Sequence, residues 1–414
     1  MDKKTNRCLG GILLVSGTAI GAGMLALPIA TSFGGFIPST IIFVVCWILM
    51  LTTSFFFLEV NLAIRGESNL VSMAGKTLGM WGKVVSWGFY LMLLYSLLVA
   101  YIAGCAPFFQ KIFSTTFHVV FPKWFVPFIL PSLFGGFVYL GTKGVDAINR
   151  VFMTGLIGSY ILLVSFCPSF IESSRLLHFD FSASFWAVPI VITSFGYHII
   201  IPTLVTYMNH DAKKLRLTLL IGSLIPLIIY LLWQWIVLGS VPFPDLIESW
   251  KQGHPATIPL ALTTSVKWIG IGAQLFAFFA IITSFLGVSL SLSDFLSDGL
   301  RMKKTRKGRL FAVCLTFIPP ILFIFTYDKS FYIALEYAGI FVAVLLGIIP
   351  SLMILKLHKH CKGHSFFCTK KGKILVYIVI SLCIAIIVMN VLQKLGFLDY
   401  LIFPYLYPAF SCSS

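Results

Sequence analysis

Long apolar runs separated by short polar loops make up nearly the whole chain. A helix rises about 1.5 Å per residue, so roughly 20 apolar residues cross a hydrocarbon core of about 30 Å. The loop at 240–266 is rich in proline and is predicted to be irregular, with room for a short surface helix. The pattern predicts about eleven transmembrane helices, at 9–31, 36–64, 86–112, 124–142, 150–171, 185–208, 216–239, 267–293, 310–326, 331–355 and 374–394.

The composition agrees with this pattern. Hydrophobic residues make up 58% of the 414 residues, charged residues make up 11%, and the mean hydropathy is +0.97. A water-soluble protein of this length needs more polar surface, so the chain is predicted to be an all-α membrane protein. No stretch has the composition of a separate soluble domain or of a disordered linker.

The net charge of +16 is distributed unevenly between the two sides of the predicted membrane protein. With a cytoplasmic N-terminus, most of the 30 lysines and arginines fall in cytoplasmic loops, as the positive-inside rule requires. These loops would meet anionic membrane lipids. Because the charge is divided among short loops, no nucleic-acid surface is predicted. Eleven crossings then place the C-terminus outside the bacterial inner membrane.

Cysteine and histidine offer little chemistry beyond packing. The nine cysteines are scattered, mostly inside apolar runs, with no spacing typical of disulfides. One cluster in a basic loop has zinc-ligand residue types, namely His358, His360, Cys361, His364 and Cys368. We interpret it as a solvated loop, so neither a metal nor a cofactor is predicted.

Two of the apolar runs are poor helices in their middle. The first contains GTAIGAGML at Gly17–Leu25, followed by Pro28, and the sixth contains TSFGYHIIIP at Thr193–Pro202. Within a helix, glycine costs about 1 kcal/mol and proline about 3 kcal/mol relative to alanine. Helices one and six are therefore predicted to be broken.

The interval between the two breaks indicates an internal repeat. Five runs separate equivalent positions, so the second copy would cross the membrane in the opposite orientation. Inverted repeats whose broken helices meet at the bilayer midplane are typical of secondary transporters. The predicted organisation is a first five-helix repeat at 1–171, a second at 185–355, and a basic loop, eleventh helix and outer tail at 356–414.

Unwound backbone inside a membrane needs polar partners, and a bound substrate can provide them. Free amides around Gly21, Ala22 and Gly23 would suit a carboxylate, and carbonyls of both breaks would suit an ammonium group. A zwitterionic amino acid carries both groups. The alternative is that Gly17 and Gly21 form a GxxxG packing face. In the sixth run, the aromatic or polar side chains that could contact substrate are Ser194, Phe195, Tyr197 and His198.

Ionisable residues inside apolar runs are costly and suggest coupling to an ion. The candidates are His198, whose ordinary pKa suits a proton switch, together with Glu336 and Glu59. His198 could instead be a neutral hydrogen-bonding residue, and Glu59 could pair with Arg65.

Sodium remains an alternative to the proton as the coupling ion. Its oxygen ligands would come from Thr283 and Ser284 in the eighth run and from carbonyls near Ala19. Hydroxyls in a membrane helix more often bond back to their own helix, which favours the proton.

A series of motifs in one order resembles the hydroxy and aromatic amino acid permeases, a branch of the amino acid, polyamine and organocation superfamily, and within it the tyrosine-specific transporters of bacteria. The resemblance covers nearly the whole chain. The motifs are GTAIGAGMLALP at Gly17, LEV at Leu58, AYIAG at Ala100, NR at Asn149, TSFGYH at Thr193, KLR at Lys214, IGSLIPL at Ile221, TSFLGVSLSLSD at Thr283 and YAG at Tyr337.

The resemblance implies a leucine-transporter-like fold and symport of tyrosine, or a relative such as tryptophan, with protons. It extends the candidate substrate site to Gly17, Thr18, Met24, Gly196 and Tyr101, with Tyr95 as a further wall residue. Some proton-coupled relatives carry a lysine in helix five, and this chain has none between 149 and 167. A sodium-coupled carrier of tryptophan or of a hydroxy or neutral amino acid therefore stays open.

Two other classes of protein fit the sequence less well. An enzyme would need a catalytic constellation within the apolar runs, and none is found. A channel would need a continuous polar lining, whereas polarity here is concentrated at the two predicted breaks. The sequence carries no signal for an oligomeric state.

Overall fold

The computed structural model describes residues 3–64, 69–116, 118, 121–122, 124–264, 266–302, 305–327, 329–358 and 369–397. Within these ranges the chain contains helices and no strand. The histidine and cysteine cluster of the predicted basic loop lies at 358–368, almost entirely outside the described residues.

Eighteen α-helices cover most of the described chain. In order, α1 to α9 are Lys3–Ala19, Leu27–Ser32, Phe36–Ala63, Leu70–Leu78, Met80–Thr116, Val126–Leu140, Thr142–Phe166, Phe181–Ser184 and Val188–Ser194. In the same way, α10 to α18 are Ile201–Tyr207, Ala212–Ser240, Phe243–Gln252, Thr257–Thr263, Lys267–Gly299, Arg306–Thr326, Ser330–Val342, Ile349–His358 and Lys370–Lys394. A π-helical segment, Ala343–Ile348, joins α16 to α17.

Among the described residues, 9 helical segments are long and apolar enough to cross a membrane. Two shorter apolar helices, Arg7–Ala19 and Val126–Leu140, fall on the first and fourth predicted runs. The first is short because its crossing is broken, and the 15 residues of the second rise about 22 Å. The nine longer segments and these two shorter helices together correspond to the eleven predicted crossings.

One short helix, α4, was not predicted, whereas the short surface helix expected within the 240–266 loop is present. Helix α4 lies in a segment predicted as a loop, while α12 and α13 occupy the loop predicted to be irregular. In α4, Asn69 Oδ1 accepts from the Ser72 amide at 2.8 Å, and Ser72 Oγ accepts from the Asn69 amide at 2.9 Å. Gly79, at φ 80°, ends the helix. This capping box was a readable signal, but α4 is too short for a search based on hydropathy.

The helices pack as two groups. Helices α10 and α11 each contact both α1 and α3, and α14 contacts both α5 and α7. The first group contains α1 and α10, the two half-helices that lie on the same face of the protein as the N-terminus. Rocking of one such group against the other is how many secondary transporters open alternate sides.

Close packing between α1 and α11 depends on a glycine. Pro226 has no amide hydrogen, so the carbonyl of Gly222 loses its usual helical donor. Ser16 Oγ donates to that carbonyl at 2.9 Å. A Cβ added at Gly222 would lie 2.7 Å from the Cβ of Val15, which no side-chain rotation relieves.

Replacing Gly222 by alanine is expected to destabilise the protein by about 1–3 kcal/mol, because the added methyl group overpacks the contact with Val15. The apparent unfolding temperature in detergent should fall. Gly158→Ala is the matched control, since a Cβ there meets nothing within 4 Å. Equal unfolding temperatures for the two variants would contradict the proposed packing.

Helix α15 is completed in a similar way by a tyrosine. Pro319 leaves the carbonyl of Leu315 without its helical donor, and Tyr95 Oη donates to it at 2.9 Å. Tyr95, considered above as a pocket wall residue, thus fastens α5 to α15.

Candidate functional site

The first crossing is broken where the sequence predicts it. Helix α1 ends at Ala19, and Gly21 is extended at φ −155° and ψ −163°. A 3-10 turn over Ala22–Leu25 follows, and α2 begins at Leu27 with Pro28 in its first turn. The change of direction exposes backbone groups in the middle of the crossing.

The sixth crossing is broken in the corresponding position, again as predicted. Helix α9 ends at Ser194, and the chain from 195 to 197 is not helical. A 3-10 turn over His198–Ile200 leads into α10, which has Pro202 in its first turn.

The two breaks lie side by side and approach each other closely at Gly23. A Cβ at Gly23 would be 3.0 Å from Ser194 Oγ. Gly21, Gly23 and Gly196 are partly accessible, whereas most of their neighbours in both breaks are buried. The accessible surface is therefore largely peptide backbone, which can bind the charged groups of an amino acid.

Helix α14 holds the first break from the opposite group of helices. Ser284 Oγ accepts from the Ala22 amide at 3.1 Å and donates to the Ala280 carbonyl at 2.9 Å. The Tyr101 side chain on α5 interacts with the same hydroxyl. The Ala22 amide, predicted to be free for a carboxylate, is thus already bonded. The Gly21 amide donates to none of the described residues.

Helix α11 supplies contacts that sequence analysis missed. Tyr230 Oη is 2.6 Å from the Ala19 carbonyl and 3.0 Å from the Ser194 carbonyl. Trp233 Nε1 donates to the Met24 carbonyl at 3.1 Å. Aromatic residues with polar tips usually sit near membrane interfaces, so a tyrosine and a tryptophan in mid-helix were a usable signal.

Several predicted site residues contact other protein groups. Tyr197 Oη is 3.2 Å from Ser54 Oγ on α3, and Tyr197 is fully buried. The Phe195 ring packs 5.3 Å from the Tyr230 ring. Thr18 Oγ1 donates back to the Leu14 carbonyl at 2.7 Å. A Cβ at Gly17 would meet nothing within 4 Å, so Gly17 does not form a close packing contact.

His198 is fully buried against α3. Its Nε2 is 2.8 Å from Thr53 Oγ1, which itself donates to the Met50 carbonyl at 3.0 Å. Because that hydroxyl has one hydrogen, Nε2 is assigned as the protonated nitrogen. Nδ1 then carries a lone pair, and it has no partner among the described residues.

The two glutamates form ion pairs away from the breaks. Glu59 pairs with Arg216 at the start of α11, in place of the Arg65 partner considered above, which lies outside the described residues. Glu336 pairs with Lys394 at the end of α18, and Asn390 Nδ2 donates to the Glu336 carbonyl at 3.4 Å. Both carboxylates thus join neighbouring helices.

The oxygens of the sodium alternative are engaged in other bonds. Thr283 Oγ1 donates to the Phe279 carbonyl of its own helix at 2.8 Å. Ser284 binds Ala280 and Ala22, and the Ala19 carbonyl accepts from Tyr230. The Ala19 carbonyl and the Thr283 hydroxyl each keep a lone pair that a cation could bind.

One cavity opens on the face of the protein that carries the N-terminus, and another on the opposite face. One of about 910 Å³ lies on the face of the N-terminus, and its lining includes Phe57, Tyr90, Ile199, Thr203, Asp294 and Asp298. Another, of about 520 Å³ on the opposite face, is lined by residues that include Gly104, Pro107, His254, Ile258, Gln274 and Ala277. Each includes residues from α5 and α14, and α14 also contacts the first break.

Comparison with known proteins identifies a family of permeases. The tryptophan/tyrosine permease family matches residues 4–390. The chain is 30% identical over 357 residues to tyrosine-specific transport system 1 of Haemophilus influenzae, covering 85% of this chain and 88% of the relative. It is 31% identical over 399 residues to the tryptophan-specific transport protein of Pseudomonas aeruginosa, covering 94% and 95%.

A solved structure agrees at the level of the fold. The crystal structure of MhsT in complex with L-phenylalanine has a TM-score of 0.62 at 14% identity, covering 93% of this chain and 98% of that one. This likeness confirms the predicted leucine-transporter-like helical fold, and the family match confirms that the chain is a transporter and not an enzyme. The chain belongs to the tryptophan/tyrosine permease family.

Proposed function

We propose that this transporter imports tyrosine by proton symport across the bacterial inner membrane. The observation that carries the proposal is the partly accessible glycine backbone of two adjacent broken helices, in a chain of a family with tyrosine- and tryptophan-specific members. The N-terminus is placed in the cytoplasm and the C-terminus outside, on the charge distribution of the loops.

The substrate would bind with its charged groups on the backbone of the two breaks. The Gly21 amide and the start of the following turn suit the carboxylate. Carbonyl oxygens have two lone pairs each, so Ala19 and Ser194 can accept from an ammonium group as well as from Tyr230. Tyr101, which reaches Ser284 beside the first break, is placed to contact the substrate ring.

Coupling to protons is supported by the bonding at the breaks. His198 has a buried nitrogen lone pair at the start of the second half of the sixth crossing, and this nitrogen has no partner among the described residues. Protonating that nitrogen would create a charge without a partner and favour a rearrangement around α3 and α10. Glu59 and Glu336 are less suited, because each is neutralised by a basic neighbour.

The test is uptake of radiolabelled tyrosine into proteoliposomes, with an inward proton gradient or a sodium gradient imposed separately. Tryptophan, serine and glutamine serve as competitors. We expect tyrosine to accumulate only with the proton gradient and tryptophan to compete better than serine or glutamine. A sodium requirement would instead favour a site at Thr283, Ser284 and Ala19, and equal competition by serine would remove the aromatic specificity.

A further inference from the structure

The hydroxyl of Tyr230 lies between the ends of two half-helices. Its oxygen is 2.6 Å from the carbonyl oxygen of Ala19 and 3.0 Å from that of Ser194. Ala19 is the last residue of α1, and Ser194 is the last residue of α9. Carbonyls at the end of a helix have no donor within that helix, so each needs a partner from elsewhere. A single phenol therefore caps both half-helices.

Two helix C-termini that meet inside a membrane repel each other, since each carries about half a negative charge. The hydroxyl hydrogen of Tyr230 is the positive end of a bond dipole, and one hydrogen can be shared between two acceptors. Tyr230 is fully buried, so water does not screen this interaction. The phenol thus offsets the repulsion between the two helix ends.

Contacts of neighbouring side chains hold the Tyr230 phenol beside the two breaks. Trp233, about one turn further along α11, donates to the Met24 carbonyl at 3.1 Å. The Phe195 ring packs against the Tyr230 ring at a centroid distance of 5.3 Å. Helix α11 is therefore bonded to the chain on both sides of the first break and packed against the second.

We propose that Tyr230 is a positioning residue that joins α1 and α9, so that the two breaks keep one relative geometry while the transporter changes its open side. A zwitterion held by both breaks needs that geometry at each stage of transport. These contacts join α11 to backbone groups of the two breaks, so the same geometry would serve any amino acid substrate.

The test compares Tyr230→Phe with Tyr160→Phe. Tyr160 Oη also donates to a backbone carbonyl, that of Ile229 on α11, at 3.1 Å, but it bonds to one carbonyl and neither break. Phenylalanine fills the same volume, so both variants should fold, which size-exclusion chromatography checks. Spin labels at Leu14→Cys on α1 and Phe185→Cys just before α9 report the distance between the half-helices, in a background without the native cysteines.

We expect a single narrow distance distribution in the parent and in Tyr160→Phe, and a broadened one in Tyr230→Phe. The maximal rate of tyrosine uptake should fall about tenfold in Tyr230→Phe, since two buried carbonyls lose their donor. A Tyr230→Phe distribution as narrow as that of the control overturns the proposal, even if uptake falls. A parent that takes up no aromatic amino acid would refute the proposed function and leave the distance test valid.

Discussion

Replacing Gly21 by alanine is expected to lower tyrosine uptake about a hundredfold, which corresponds to about 2.7 kcal/mol. The added methyl carbon would lie 2.6 Å from Ser284 Oγ, well inside van der Waals contact. That hydroxyl is held by the Ala22 amide at 3.1 Å and by the Ala280 carbonyl at 2.9 Å. Turning it away would leave the Ala22 amide unsatisfied inside the membrane, which is costly.

Gly17→Ala is the matched control for this substitution. Gly17 lies one helical turn earlier in the same motif, and a Cβ there meets nothing within 4 Å. Gly21 has an extended backbone that alanine also adopts, so the two variants differ mainly in the space available. We expect Gly17→Ala to keep parental uptake, and Gly21→Leu to remove binding altogether.

A double variant separates the clash from a general loss of structure. In Gly21→Ala combined with Ser284→Ala the hydroxyl is absent, and the remaining Cβ of residue 284 lies 3.8 Å away, an ordinary contact. Binding of radiolabelled tyrosine to purified protein should then recover in part, though not fully, because the Ala22 amide has lost its acceptor. Parental binding in the Gly21→Ala single variant would refute the placement of the substrate beside Gly21.

The breaks could be predicted from sequence because their cause is local. Glycine and proline destabilise a helix at their own positions, so the breaks around Gly21 and Gly196 can be predicted without knowledge of the fold. The contacts of Tyr230 could not be predicted in this way. Its bond to Ala19 spans 211 positions along the chain, and nothing in the sequence around either residue indicates that the two are partners.

The difference between local and long-range causes also explains why the ion-pair partner of Glu59 was predicted wrongly. Sequence proximity suggested Arg65 as its partner, whereas the structure pairs it with Arg216, 157 positions away. Helix packing brings the ends of α3 and α11 together, and charges on neighbouring helices then pair across the gap. Local patterns thus located the unwound segments, while the partners of individual side chains depend on which helices pack together.

Substituting His198 by glutamine is expected to abolish proton-driven accumulation of tyrosine while leaving exchange of bound substrate in place. Glutamine can donate to Thr53 Oγ1 as the Nε2 nitrogen does, at 2.8 Å in the parent, so the neutral arrangement is retained. It cannot take up a proton at the place of Nδ1. Accumulation needs that protonation if His198 carries the coupling proton, whereas exchange needs only the binding site.

The measurement compares the accumulation ratio under an inward proton gradient with the rate of counterflow, in which no gradient is imposed. His254→Gln is the control: this histidine lies in a loop beyond the spanning helices, where burial lowers the pKa of its imidazole. His254 belongs to neither break, so its replacement should leave the gradient response unchanged if His198 carries the coupling proton. If His198→Gln accumulates tyrosine as well as the parent does, the coupling proton is carried by another group.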